Sequence, residues 1–142
     1  MLKNTEFIEK LRSSGLRPTK QRLKICEVLF NREKTFHFTI NDLAKNISNQ
    51  LSEKISLATV YNTVHAFKDK GYLKEISINS DKSYFDTNTS NHHHFFDEDT
   101  NQLIDCDVDD IDKINIKKNI TGKKINSIEV LIKVASDNQN QN

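Results

Sequence analysis

The stretch SLATVYNTVHAFKDKG, residues 56–71, restricts the fold more than any other part of the chain. Ser56 offers a side-chain oxygen to the unpaired amides of a first helical turn, and Gly71 can take the left-handed conformation that ends a helix. Between them Leu57, Val60, Val64 and Phe67 recur at steps of three, four and three, which predicts a helix with one narrow apolar stripe. The opposite face carries Ala58, Thr59, Asn62 and His65, small or hydrogen-bonding groups without interlaced charge. Two strand-like runs follow, YLKEISI (72–78) and KSYFD (82–86), joined by Asn79-Ser80-Asp81 as a hairpin.

Upstream, Phe7, Ile8 and Leu11 mark a short amphipathic helix that stops at Gly15. Thr19 caps a second helix bearing Leu23, Cys26 and Phe30, and Arg17-Pro18 ahead of it keeps the chain extended. Thr39 caps a third, holding Ile40, Leu43, Ala44 and Ile47, with Asp42 at a capping-box position. Helices followed by a hairpin make a winged helix-turn-helix, whose last helix before the wing enters a DNA major groove.

TNTSN (87–91) has no apolar residue and reads as a hinge. Beyond it HHHFF (92–96) and QLIDCDV (102–108) read as strands, VDDIDKINIKKN (108–119) as a helix and KINSIEVLIKVA (124–135) as a last strand. The expected architecture is α+β: a winged helix-turn-helix domain over 1–86, the hinge over 87–91, a small α/β dimerisation and sensing domain over 92–136, and a disordered polar tail over 137–142.

Charge follows the same division. Residues 1–82 hold fifteen Lys/Arg against nine Asp/Glu, a net of +6, and residues 83–142 hold six against eleven, a net of −5, together the chain's +1. A basic half joined to an acidic one points the first toward a polyanion. No apolar run is long enough to span a bilayer, and MLKNTEFIEK has no signal-peptide core, so a cytoplasmic protein without membrane contact is expected. Cys26 and Cys106 share no CxxC spacing and sit among apolar neighbours, which argues against a disulfide framework or a zinc knot.

Phosphates call for cations and base edges for short donors and acceptors. Arg17, Lys20, Arg22 and Lys24 cluster at the start of the second helix, and Ser56, Ala58, Thr59, Tyr61 and Asn62 occupy the cap and first turns of the candidate recognition helix. Asn pairs bidentately with adenine, and Ala or Thr suits a thymine methyl. The bland alternative is a pair of ordinary solvated helix faces. His65, on the polar face, reads as a solvent or phosphate neighbour.

Four of the five histidines are His37, His92, His93 and His94. In a strand His92 and His94 share one face and His93 takes the other, so two imidazoles can meet one metal. Asp86 lies just before the hinge, and alternation in LIDCDV sets Asp105 and Asp107 opposite Ile104, Cys106 and Val108. A nitrogen and oxygen donor set suits Fe²⁺, Mn²⁺ or Zn²⁺ alike. The bland reading of HHH is a loop of exposed histidines. No HExxH, nucleophile–base pair or glycine-rich phosphate loop is present, so an enzyme is not expected.

GLRPTKQR, ISLATVYNTVHAFKDKGYL, KSYFD and HHHFF, in this order and spacing, resemble the ferric uptake regulator family across nearly the whole chain. The resemblance implies a homodimer that binds palindromic double-stranded operator DNA and reports iron status. It implies Arg17 in the minor groove, Tyr61 and Asn62 at bases in the major groove, and a regulatory metal site of His37, Asp86, His92, His94 and Asp105. Where many relatives carry Arg, this chain has Asn62. The family's CxxC structural zinc motif would fall at DEDT (97–100), which has no sulfur, so that zinc is not expected. FDTNTSNHHHFF without zinc cysteines is similar to the iron response regulator branch, which implies control of iron and haem genes, with His92, His93 and His94 as the haem candidates. For a second family metal site the resemblance offers only His93 and Asp112 as candidate remnants, which leaves that site open. The alternatives are a Fur-type regulator activated by Fe²⁺ or Mn²⁺, and a metal- or haem-binding protein that does not bind DNA.

Overall fold

The computed structural model describes residues 4–51 and 54–137, which pack as two compact units, Met1–Thr89 and Ser90–Asn142. The expected tail therefore lies, beyond Asp137, outside the described residues. In the first unit the helices are α1 (Asn4–Ser13), α2 (Lys20–Phe30), α3 (Ile40–Gln50) and α4 (Leu57–Lys70). Each of the last three starts where a hydroxyl meets an unpaired amide. Thr19 accepts from Arg22 N at 3.3 Å, Thr39 from Asp42 N at 3.2 Å and Ser56 from Thr59 N at 3.1 Å. Gly71 ends α4 at φ +89°, its N–H reaching Phe67 and Lys68 carbonyls while Tyr72 N donates to Phe67 O at 2.8 Å. That conformation costs a residue with a Cβ more than it costs glycine.

The helices bury one face each against a common core that includes Phe7, Leu11, Ile25, Leu29, Leu43, Ile47, Val60, Val64 and Phe67. Leu57, read as the first member of the α4 stripe, is instead 52% exposed. It stands at the first helical position, before the helix reaches the core, and Thr63 fills the stripe in its place. Thr63 is fully buried because its Oγ1 donates to Thr59 O at 2.7 Å, which removes the cost of burying a hydroxyl.

The wing is a three-stranded sheet in the order β1-β3-β2, with β1 His37–Phe38, β2 Lys74–Ser77 and β3 Ser83–Asp86. The hairpin β2–β3 has the expected place; β1, two residues long, has no sequence signature. It pairs antiparallel with β3, setting His37 opposite Asp86 and Phe38 opposite Phe85. Thr87 prolongs this pairing, its amide donating to Phe36 O at 3.2 Å and its Oγ1 accepting from Phe36 N at 3.0 Å.

The second unit holds β4 (His93–Asp97), β5 (Gln102–Cys106) and β6 (Leu131–Val134) in the order β5-β4-β6, with β4 antiparallel to β5 and parallel to β6. The helix expected over 108–119 is absent: one 3₁₀ turn, Val108–Asp110, is followed by irregular chain up to β6. Its isoleucines at 111, 114, 116 and 120 are spaced three, two and four apart, so they cannot share one helical face. Ile116 and Ile120 are 49% and 69% exposed and Ile111 and Ile114 only half-buried, too little burial to support a helix there. The last strand, expected over 124–135, is only Leu131–Val134, since Ile125 projects into solvent. Ile104, read on the same strand face as Cys106, is 46% exposed while Cys106 is buried.

Candidate DNA-reading face and metal centre

The first turns of α4 present Ala58, Tyr61 and Asn62 to solvent, with Thr59 half-buried beside them. Ser56 is exposed too, but its Oγ is already engaged with Thr59, 2.7 Å from Thr59 Oγ1, and is part of the cap. Arg17 and Lys20 are exposed ahead of and at the start of α2. Arg22 has a different place. Its Nη1 donates to Arg17 O at 3.0 Å, so its guanidinium fixes the backbone that carries Arg17. Lys24 is engaged by Glu27 at 3.4 Å.

Two groups of candidate ligands stand in the two units. In the first, the β1–β3 register places His37 Nε2 3.4 Å from Asp86 Oδ2. Asp86 is 1% exposed, and its other oxygen accepts from Asn88 N at 2.8 Å. A buried carboxylate needs such partners.

In the second unit His92 and His94 lie ring to ring at 4.4 Å, and Asp105 stands opposite His94 across the β4–β5 ladder. Both Nε2 atoms approach the same oxygen, Asp105 Oδ1, at 3.3 Å from His92 and 3.4 Å from His94. His92 Nδ1 is 2.7 Å from the Ser90 carbonyl, which can only accept, so that nitrogen carries the proton. Nε2 is then the ring nitrogen left to face the Asp105 oxygen, where an imidazole nitrogen and a carboxylate can share a metal cation. A bound ring nitrogen backed by a carbonyl is also how metal-ligating imidazoles are oriented. The residues present therefore fit a divalent ion. Ser90 O is a contributor that no sequence pattern marks.

His93 points elsewhere: its Nδ1 accepts from Val130 N at 3.0 Å, tying β4 to the segment that enters β6. It lines a cleft of about 360 Å³ with Asp112 and a largely aliphatic wall including Ile111, Ile114 and Ile125. Both cysteines are buried. Burial pushes the Cys26 thiol up to about 12, and burial followed by the charges of Asp110 and Asp107 raises that of Cys106.

The model of the ferric uptake regulator family matches residues 13–133. The chain belongs to the ferric uptake regulator family. It is similar to the peroxide operon regulator of Bacillus subtilis, 32% identical over 121 residues that cover 84% of this chain and 81% of that protein. It is also similar to the peroxide-responsive repressor PerR of Staphylococcus epidermidis, 34% identical over 109 residues, 77% of this chain and 71% of the relative. Among solved structures it resembles the ferric uptake regulator of Vibrio cholerae at a TM-score of 0.67 and 25% identity, over 91% of this chain and 98% of the other. The ferric uptake regulators are metal-responsive transcription regulators that bind DNA as dimers, and the mixed fold with an N-terminal winged helix is theirs. Among the described residues no helix is long and apolar enough to cross a membrane.

Proposed function

We propose that this member of the ferric uptake regulator family is a metal-activated repressor whose regulatory Fe²⁺, Mn²⁺ or Zn²⁺ is held by His37, Asp86, His92, His94 and Asp105. The observation that carries the reading is the convergence of two imidazole Nε2 atoms on one Asp105 oxygen. The bound ion supplies positive charge and fixed coordination. Ligands drawn from both sides of the 87–91 segment would let metal occupancy favour one state of the chain through differential affinity. Arg17 and Lys20 contact phosphate and groove edge, and Ala58, Thr59, Tyr61 and Asn62 read bases, with Arg22 and Ser56 shaping the backbone on which they stand. The two curated relatives are named for a peroxide response, and on that likeness we take peroxide as a candidate signal that releases the repressor.

The iron response regulator reading puts haem on His92, His93 and His94. It is supported by the missing zinc cysteines. Against it, all three rings are only 5–6% exposed, and His92 and His93 each have a ring nitrogen engaged within their own unit, so a single small ion fits better than a macrocycle.

The test is fluorescence anisotropy of the full chain on an AT-rich inverted-repeat duplex, with chelator, with Mn²⁺ and with haem, over a range of salt. The expected outcome is Mn²⁺-dependent binding whose affinity falls steeply with salt as counterions are released. Arg17→Ala or Tyr61→Ala should weaken it by at least about tenfold, the scale of one good base or groove contact. The double change His92→Ala/His94→Ala should abolish the Mn²⁺ dependence. Tight apo binding that haem releases would instead establish the iron response regulator reading. Normal binding by both DNA-face variants would sink the contact assignment.

A further inference from the structure

We propose that His65 is a positioning residue that, itself backed by Phe85 of strand β3, braces the Tyr61 ring and so ties the DNA-reading face to the strand that carries Asp86. The proposal rests on the reading just given of Tyr61 as a base contact and Asp86 as a ligand.

Tyr61 is 52% exposed. An aromatic side chain that far out of the core ordinarily samples several rotamers, and fixing it on DNA costs entropy. His65 lies four residues on, the spacing at which side chains on a helix become neighbours. Its ring centroid is 4.1 Å from that of Tyr61, with the planes inclined by 41°. The same imidazole meets Phe85 edge to face at 5.4 Å and 81°. Phe85 is 2% exposed and stacks on Phe38 at 5.9 Å. The register that pairs Phe85 with Phe38 also pairs its chain neighbour Asp86 with His37.

An unbroken run of contacts therefore leads from the ligand pair through Phe85 and His65 to Tyr61, all inside the first unit. Phe85 is the fixed end, because the core holds it on the Phe38 side. Tyr61 is the outer end, about half exposed. Of these residues His65 is the one in contact with both rings, and it is the residue read from sequence as a solvent or phosphate neighbour. A flat ring is what the position requires: a longer cation at 65 would carry its charge past Phe85 to water, and a small residue would leave Tyr61 with no wall. Two consequences follow. Tyr61 meets DNA already oriented, which favours the sequence it reads over other duplexes. A change in β3 on ligand binding is also passed to the reading face. Contiguity is spatial and coupling is energetic, so the coupling has to be measured.

The chain has three tyrosines, Tyr61, Tyr72 and Tyr84, so 3-fluorotyrosine labelling of the full protein yields a short ¹⁹F spectrum in which Tyr61→Phe assigns the Tyr61 signal. Zn²⁺, which is diamagnetic, is titrated in, and its binding is followed independently by competition with a chromophoric chelator. Zn²⁺ is expected to shift the Tyr61 signal in the wild type and in His65→Phe, but not in His65→Ala, while Tyr72 stays in place throughout. On DNA, His65→Ala is expected to lose about tenfold in affinity for the inverted-repeat duplex, the effect of two lost aromatic contacts. Its affinity for a shuffled duplex of the same composition should be unchanged, and His65→Phe should restore selectivity. That split separates positioning from a general loss of fold, which would weaken both duplexes alike. Zinc binding with an undiminished Tyr61 shift in His65→Ala, or unchanged duplex selectivity, overturns the proposal. A wild-type chain that binds no zinc, or whose Tyr61→Ala variant binds the inverted repeat normally, overturns the functional reading beneath it, and the proposal falls with it.

Discussion

Replacing Phe85 by leucine tests whether the wing is held to the helices by ring contacts. Phe85 is 2% exposed, stacked on Phe38 at 5.9 Å and met edge-on by His65 at 5.4 Å. Leucine keeps most of the apolar volume and loses both aromatic pairs, each contributing about 0.5–1.5 kcal/mol beyond area burial. The expected loss is about 1–3 kcal/mol, against about 3–5 for alanine, which also leaves a cavity. In a unit of this size 1 kcal/mol moves the melting temperature by about 4–8 °C, so a loss near 2 kcal/mol predicts a fall of roughly 8–16 °C. The assay is circular dichroism at 222 nm in excess chelator, because a bound ion would add its own stabilisation. All four α-helices described lie in the first unit, so this signal reports the unit that contains Phe85. A double-mutant cycle with His65→Ala isolates the pair, with an interaction energy of about 0.5–1.5 kcal/mol expected. A fall below about 3 °C, under the range those contacts predict, would refute the account of Phe85.

Three further outcomes are expected. Gly71→Ala should destabilise the first unit by about 1 kcal/mol in a urea titration: φ is +89° and nothing lies within 4 Å of the added Cβ, so the cost is backbone strain alone, and a gain in stability would contradict it. Neither Cys26 nor Cys106 should be alkylated by iodoacetamide in the native protein at pH 8, because burial raises both thiols, with Cys26 at about 12, and both should react in urea; rapid native labelling of Cys26 would show that the α2 core opens. The Ser136 hydroxyl and amide hold the Asp99 carboxyl below its ordinary 3.8, so the contribution of this contact is complete above that value and is lost as pH falls through the lower folded value. An NMR titration of Asp99 should show its midpoint return toward 3.8 in Ser136→Ala, and an unmoved midpoint would exclude Ser136 as the cause.

What the sequence determines by itself is what hydrogen bonds and side-chain periodicity settle over a few residues. Thr19, Thr39 and Ser56 cap α2, α3 and α4 through amides three residues on, and Gly71 closes α4, all of it readable from residue type and spacing. The closeness of His92 and His94 likewise follows from their two-residue separation next to a strand. Where side chains share no local period, only the tertiary structure decides. Strand β1 is two residues long and exists because β3 offers it a free edge, and that pairing sets His37 beside Asp86, 49 positions apart in the chain. Leu57 fits the α4 stripe by spacing but stands outside the core because the helix has only begun to meet its neighbours. The helical reading of 108–119 failed for the converse reason: after one 3₁₀ turn the isoleucines share no single helical face and are at most half-buried, and with so little burial a short run rich in isoleucine and asparagine does not repay the cost of nucleating a helix. His65 shows the limit most plainly. Its residue type and its polar-face position point to water or phosphate, and only the arrival of Phe85 from a strand twenty residues later sets its ring between Phe85 and Tyr61.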